Sequence, residues 1–213
     1  MPEGSANRSA TVALASMAAA GLLLGTVAQF LRQMRDPFMQ LGAATAPWLT
    51  AGFVLTIWMT WPDTTRHAPW RRGIASMGLY LSGWLLSYHS VFAIRESVTA
   101  ADAWREAAPF ALLAVPTSFM LGAAASALNT STIWRDLSLA LPVVWSLPEI
   151  VTSAREGWAH AAAVALPTAA LALFPLLWVR PDTRMLLRVA IAGTLFGAIG
   201  LLMLPVIRSY IHQ

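Results

Sequence analysis

Seven apolar stretches, each about as long as a helix needs to cross a bilayer, govern everything else this chain of 213 residues can fold into. A spanning helix takes roughly 20 mostly apolar residues, because the hydrocarbon core is about 30 Å thick and a helix rises about 1.5 Å per residue. The stretches run over 10–31, 41–61, 74–94, 108–128, 134–153, 159–179 and 185–207. The fifth is interrupted by Pro142 and Pro148 and carries Glu149, so six spans plus a re-entrant segment is the alternative count. Spans and short loops use nearly the whole sequence and leave no stretch long enough for an extramembrane domain with its own core. The expected architecture is an all-α integral membrane protein, a single transmembrane helical domain over 1–213 with about seven spans.

Composition then acts by exclusion. No cysteine is present, which removes thiol catalysis, disulfides and thiolate metal sites. All fourteen basic residues are arginine, so Schiff-base chemistry and a P-loop lysine are also absent. A net charge of +4 would suggest nucleic acid for a soluble protein. Here Arg32, Arg35, Arg66, Arg71, Arg72, Arg95, Arg135, Arg180 and Arg184 fall in the short loops, beside lipid headgroups, where arginine anchors spans; no nucleic-acid partner is expected. Arg8 precedes an apolar run too long for a signal-peptide core, so the first span is expected to be retained. With seven spans, one side carries Arg8, Arg66, Arg71, Arg72, Arg135, Arg180, Arg184 and Arg188. The other carries Arg32, Arg35, Arg95, Arg105, Arg155 and Arg208, and this excess places the N-terminus in the cytoplasm.

A faint internal repeat lays Trp61-Pro-Asp-Thr-Thr-Arg66 over Arg180-Pro-Asp-Thr-Arg184. Gly21 and Gly25 in the first span, and Gly193 and Gly197 in the last, echo it with small-residue spacings that allow close helix approach. The plain alternative is a common turn opening in which Asp caps the next helix.

Polar residues inside spans are the functional candidates, because each is costly in lipid. Glu149 follows Pro148, which removes a backbone donor, and helical spacing puts it on one face with Trp145, Ser146, Thr152 and Ser153. A carboxyl in that setting is expected to be neutral and able to donate a proton. Its bland alternative is an interfacial end residue paired with Arg155. Gln29 continues the Gly21–Gly25 stripe and is either pocket lining or interhelical glue. Tyr80, Trp84 and Tyr88 form an aromatic stripe, while His89 and Glu96 share another face; packing or an interfacial belt would explain these equally. No His, Asp and Glu set has metal-ligand spacing, so neither metal nor cofactor is expected.

Since spans alternate direction, Gln29, Thr45, Trp48, Tyr88, His89, Glu96, Trp145, Glu149 and His160 all fall at span ends on one membrane face. They are expected to line one pocket, the alternative being that any bundle has wetter ends. The Asp-rich diphosphate motifs, His-Glu-x-x-His and Gly-x-Ser-x-Gly are missing. What remains suits a neutral carboxylic acid that protonates an alkene or epoxide. Aromatic faces would attract the resulting carbocation, at about 2 kcal/mol when dry. Glu149, with Glu96 behind it, is the catalytic candidate. Gln29, Trp48, Trp84, Tyr88, His89 and Trp145 are the substrate-binding ones.

The run Arg35-Asp-Pro-Phe-Met-Gln-Leu-Gly-Ala-Ala-Thr-Ala-Pro-Trp-Leu-Thr50 resembles the small polytopic actinobacterial membrane-bound terpene cyclases that act on farnesylated indoles in drimentine-type pathways. Size and span count also resemble the fungal meroterpenoid cyclases, which use acidic residues within the membrane. The local match covers the first two spans. It implies a multi-pass protein of the bacterial plasma membrane, a lipophilic isoprenoid or prenylated aromatic substrate, an upstream prenyltransferase and no cofactor. No catalytic motif of that group matches residue by residue, so Glu149 rests on its physical setting. A small transporter, for which proline-broken spans and an intramembrane acid are typical, and a non-catalytic membrane partner are the alternatives.

Overall fold

The computed structural model describes residues 3–60, 69–128, 133–179 and 182–211. Among them the regular structure is entirely α-helical. The helices are α1 (Glu3–Arg32), α2 (Phe38–Ala43), α3 (Ala46–Thr60), α4 (Pro69–Arg95), α5 (Ala100–Ala127), α6 (Ile133–Ala154), α7 (Trp158–Val179) and α8 (Thr183–Ile211). Five of them, α1, α5, α6, α7 and α8, are long and apolar enough to cross a membrane. At 15 residues α3 spans about 22 Å, short of the hydrocarbon thickness. At 27 residues α4 is long enough, but Arg71, Arg72, Ser76, Tyr80, Ser87 and His89 dilute its apolar character.

The second apolar stretch, expected as one helix over 41–61, is divided. Ala44 adopts an extended conformation (φ −68°, ψ 145°) and α3 begins afresh at Ala46. Pro47 explains the break: its ring clashes with the carbonyl four residues earlier, and it has no N–H, so it is tolerated in a first turn but not mid-helix. Pro142 and Pro148 leave α6 continuous, and α5 and α7 each absorb two prolines as well. Helices in an apolar solvent keep winding past proline because no water is at hand to satisfy an opened backbone.

The chain forms two compact units. One comprises Met1–Phe30 and Leu55–Ser126, the other Leu31–Val54 and Ala127–Gln213. In the first unit, glycines bring helix backbones together as their spacing predicts. A Cβ at Gly21 would fall on the Tyr80 carbonyl of α4, and one at Gly25 on the Trp84 carbonyl and Ser87 hydroxyl. Gly83 answers from α4, where a Cβ would lie 2.6 Å from the Ala18 carbonyl oxygen. Between α4 and α5, Gly73 and Gly122 touch backbone to backbone.

In the second unit α6 packs against both α7 and α8, and α2 packs on α7. Gly193 and Gly197 of α8 accept Val143 and Leu147 of α6, each of which would sit 2.9 Å from an added Cβ. The first Pro-Asp-Thr copy, 61–66, lies outside the described residues, as do Arg180 and Pro181. Asp182 of the second copy does what a capping residue does, its Oδ1 accepting the Met185 N–H at 2.6 Å.

The surfaces reverse the pattern of a water-soluble protein. Leu112, Leu166, Leu177 and Leu202 point outward, while Thr50, Thr60 and Thr168 are buried and donate to carbonyls of their own helices. Outward leucine and inward, locally bonded threonine suit helices whose solvent is hydrocarbon.

Candidate functional site

The site is built on one face of α6 in the second unit. Helical spacing places Trp145, Glu149 and Thr152 on that face, and the structure keeps them there because α6 runs unbroken through Pro148. The restart of α3 leaves backbone N–H groups without intrahelical partners. Glu149 takes two of them: Oε1 accepts from Thr45 at 2.6 Å and Oε2 from Ala46 at 2.6 Å. Its carboxyl therefore sits on the positive end of α3, a favourable place for negative charge.

One turn earlier, the Trp145 indole N–H donates to Thr50 Oγ1 at 3.0 Å, and Thr50 donates in turn to the Ala46 carbonyl at 2.8 Å. The Trp145 ring meets Phe53 edge-on, with centroids 5.8 Å apart and planes at 83°. Ala44, Ala46 and Val164 pack beside it with Ile150. Two turns of α3 are thus held to α6 by an acid, an indole and a small apolar cluster.

Beside this contact lies a cavity of about 450 Å³, lined by Gln40, Thr45, Trp145, Glu149, Thr152 and Glu156 among others. Glu156 Oε2 accepts from Gln40 Nε2 at 3.3 Å and lies 3.6 Å from His160 Nδ1. His160 Nε2 is 3.3 Å from Asp36 Oδ2. At 3.6 Å the His160 Nδ1 makes no hydrogen bond to Glu156. Gly157, at φ +145°, makes the turn between Glu156 and His160; nothing crowds it, and the backbone angle alone calls for glycine.

The residues expected to line one pocket fall into two groups. Trp145 and Glu149 line the second-unit cavity. Trp48, in the same unit, is buried and donates its indole N–H to the Leu41 carbonyl at 3.1 Å. The first unit holds Gln29, Trp84, Tyr88, His89 and Glu96. There Trp84 stacks on Tyr88 (4.9 Å, 19°), Tyr88 meets His89 edge-on (5.2 Å), and His89 leans on Phe110 (6.1 Å). Gln29 is fully buried, and Glu96 is exposed in the turn after α4. A first-unit cavity of about 410 Å³ between α4 and α5 is lined by Ser82, Trp104, Ser118 and Phe119 among others, without a titratable side chain.

Sequence reasoning offered Arg155 as the bland partner of Glu149; the bonds found are to the start of α3. It passed over Gln40, Asp36 and Glu156. Glu156 and His160 are close in sequence, but Glu156 lies in the turn before α7 and is brought to His160 by Gly157 rather than by a shared helical face. Asp36 and Gln40 meet them only through the fold. Among the described residues no cluster of His, Asp and Glu is arranged to hold a metal ion. No family model, curated protein or solved structure matches the chain.

Proposed function

We propose that this is a multi-pass protein of the bacterial plasma membrane whose second-unit cavity performs a protonation-initiated cyclisation of an isoprenoid or prenylated aromatic substrate such as a farnesylated indole. The observation that carries the proposal is a carboxyl group set in the wall of a cavity beside an indole, with a backbone N–H on each oxygen. A protonated carboxyl keeps acceptor capacity for both N–H groups and still has an O–H to give. Glu149 transfers that proton to an alkene carbon of the substrate, and the pair of N–H groups holds the carboxylate that remains. The carbocation is attacked by the next double bond, closing a ring. A final C–H proton then passes to a carboxylate of the lining, Glu149 itself or Glu156, so the reaction is an isomerisation that needs no cofactor. Trp145 supplies an aromatic face to the cation. A cavity of about 450 Å³ is in the range of small-molecule sites.

The test is direct: membranes holding the full chain should convert a farnesylated indole to a product of unchanged mass and altered retention time by mass spectrometry. Trp145→Leu should shift the product distribution while leaving the proton source in place, because it removes cation stabilisation worth about 2 kcal/mol in a dry site. Identical products from wild type and variant would remove Trp145 from the chemistry.

For topology we take α2 with α3 as one crossing and α4 as another, which with the five long apolar helices makes seven. The N-terminus is then cytoplasmic and the C-terminus opposite. Reporters fused at the two ends should report opposite sides; the same side for both would sink the seven-crossing arrangement.

A second reading is favoured by the α2–α3 break itself. Discontinuous spans whose half-helix N-termini face a cavity are a device of transporters. In that case proteoliposomes would accumulate a solute without altering it, and no isoprenoid would be turned over.

A further inference from the structure

At the N-terminal ends of α6 and α8 the second unit carries an arginine cluster that the cavity chemistry does not use. Asp136, buried in the first turn of α6, receives Arg188 Nε of α8 at 2.7 Å and its neighbour Arg135 at 3.6 Å. Two guanidinium groups thus face one carboxylate. Arg184, one turn before Arg188 and exposed, brings a third positive charge, so the arginines outnumber the carboxylates of this end, Asp136 and Asp182. Asp182 is engaged in capping α8.

The contact with Asp136 fixes the inner edge of Arg188 and leaves the side chain 57% exposed. Arg135 is largely buried, yet its Nε has no hydrogen-bond partner. That Nε lies 3.6 Å from Asp136 Oδ1, and the Arg135 side chain as a whole stays 28% exposed. The Arg188–Asp136 pair also shows that α6 and α8 begin at the same end, so the partial positive charges of two helix N-termini add to the arginines.

Along α8 from this cluster the exposed face is apolar. Leu187, Ile191 and Leu195 recur at four-residue spacing and are all exposed, forming one ridge that starts beside Arg184 and Arg188. Positive charge at the head of an apolar ridge is the complement of an amphiphile with an anionic head and an alkyl tail. We infer that an anionic phospholipid binds here, its phosphate among Arg135, Arg184 and Arg188 and one acyl chain along the Leu187–Leu195 ridge. Free phosphate would use the arginines but leave the ridge idle. This inference is independent of the cyclase reading.

The full chain, purified in mild detergent, would be loaded with phosphatidylglycerol or phosphatidylcholine of identical chains and examined by native mass spectrometry. Phosphatidylglycerol should be retained in clear preference. Arg135→Gln with Arg184→Gln spares the Arg188–Asp136 pair and should weaken that retention about 25-fold, at roughly fivefold per arginine. Arg105→Gln, in the other unit, should leave it unchanged. Should the double variant fail to fold, the exposed Arg184→Gln alone should still cost about fivefold. Equal retention of the two lipids, or a preference that survives loss of these arginines, would overturn the inference. So would complete displacement by millimolar inorganic phosphate, which would assign the arginines to a free anion.

Discussion

Glu149→Gln should lower conversion of a farnesylated aromatic by about 10²-fold or more, the usual scale of general acid catalysis, because an amide has no acidic proton to give. The same change also touches the fold. The carboxyl presents an oxygen to Thr45 and another to Ala46, whereas Gln can present only one, and its NH₂ would oppose the second N–H. An unpaired donor in that position costs about 1–3 kcal/mol, so thermal unfolding of the variant in detergent should be measured beside turnover. Thr50→Val separates the two effects. It removes the acceptor of the Trp145 indole and loosens the α3–α6 contact without altering the acid. If Glu149 acts only as a clamp, Thr50→Val should reproduce much of the loss; if it is the acid, turnover per folded molecule should stay near wild type. Glu149→Asp retains an acidic proton and should keep part of the activity. Unchanged turnover in the Gln variant would exclude Glu149 and turn attention to Glu156 in the same lining, then to Glu96.

The largest effect on folding is expected at Gly122. A Cβ there would lie 2.5 Å from the backbone of Gly73 and Ile74, and backbone, unlike the tip of a flexible side chain, cannot yield. Gly122→Leu must therefore push α4 and α5 apart and forfeit the close packing that holds helices together where lipid competes for every apolar contact. The cost should exceed the roughly 1–3 kcal/mol of ordinary overpacking. A large fall in the monodisperse fraction on size exclusion, with a lower melting temperature, is the expected result. Gly78→Ala is the control on the same pair of helices. A Cβ at Gly78 meets only Ser118, at 3.7 Å, in ordinary contact, so this variant should be unchanged or stabilised by about 0.5–1 kcal/mol through the helical preference of alanine. Equal behaviour of the two variants would show that the backbone contact is dispensable.

How much of this was legible in the sequence follows from the range of each signal. Apolar runs and helical spacing are local, so α6, α7 and α8 lie within a few residues of the stretches 134–153, 159–179 and 185–207. The face carrying Trp145 and Glu149 was legible for the same reason. The break at Ala44 had a local sign as well, in Pro47, but hydropathy alone ran straight through it because the residues from Leu41 to Trp48 are mostly apolar and none is charged. The continuity of α6 past two prolines went the other way: the solvent, not the residue, decided whether the helix could open.

Sequence by itself determined that the chain is helical, that several helices are apolar enough for a membrane, and that Gly21, Gly25, Gly193 and Gly197 mark close helix approaches, since chain composition and period carry those properties. Only the tertiary structure decided what they would meet. Glu149 lies 104 residues from Thr45, and Gln40 lies 116 residues from Glu156. Nothing in the spacing of one helix announces that the start of another will offer it two N–H groups. Nor could the sequence tell that Gln29, Tyr88 and His89 would belong to one compact unit while Trp145 and Glu149 belong to the other. Membership of a unit is set by long-range packing, which depends on how whole helix faces fit and leaves no periodic trace in the chain.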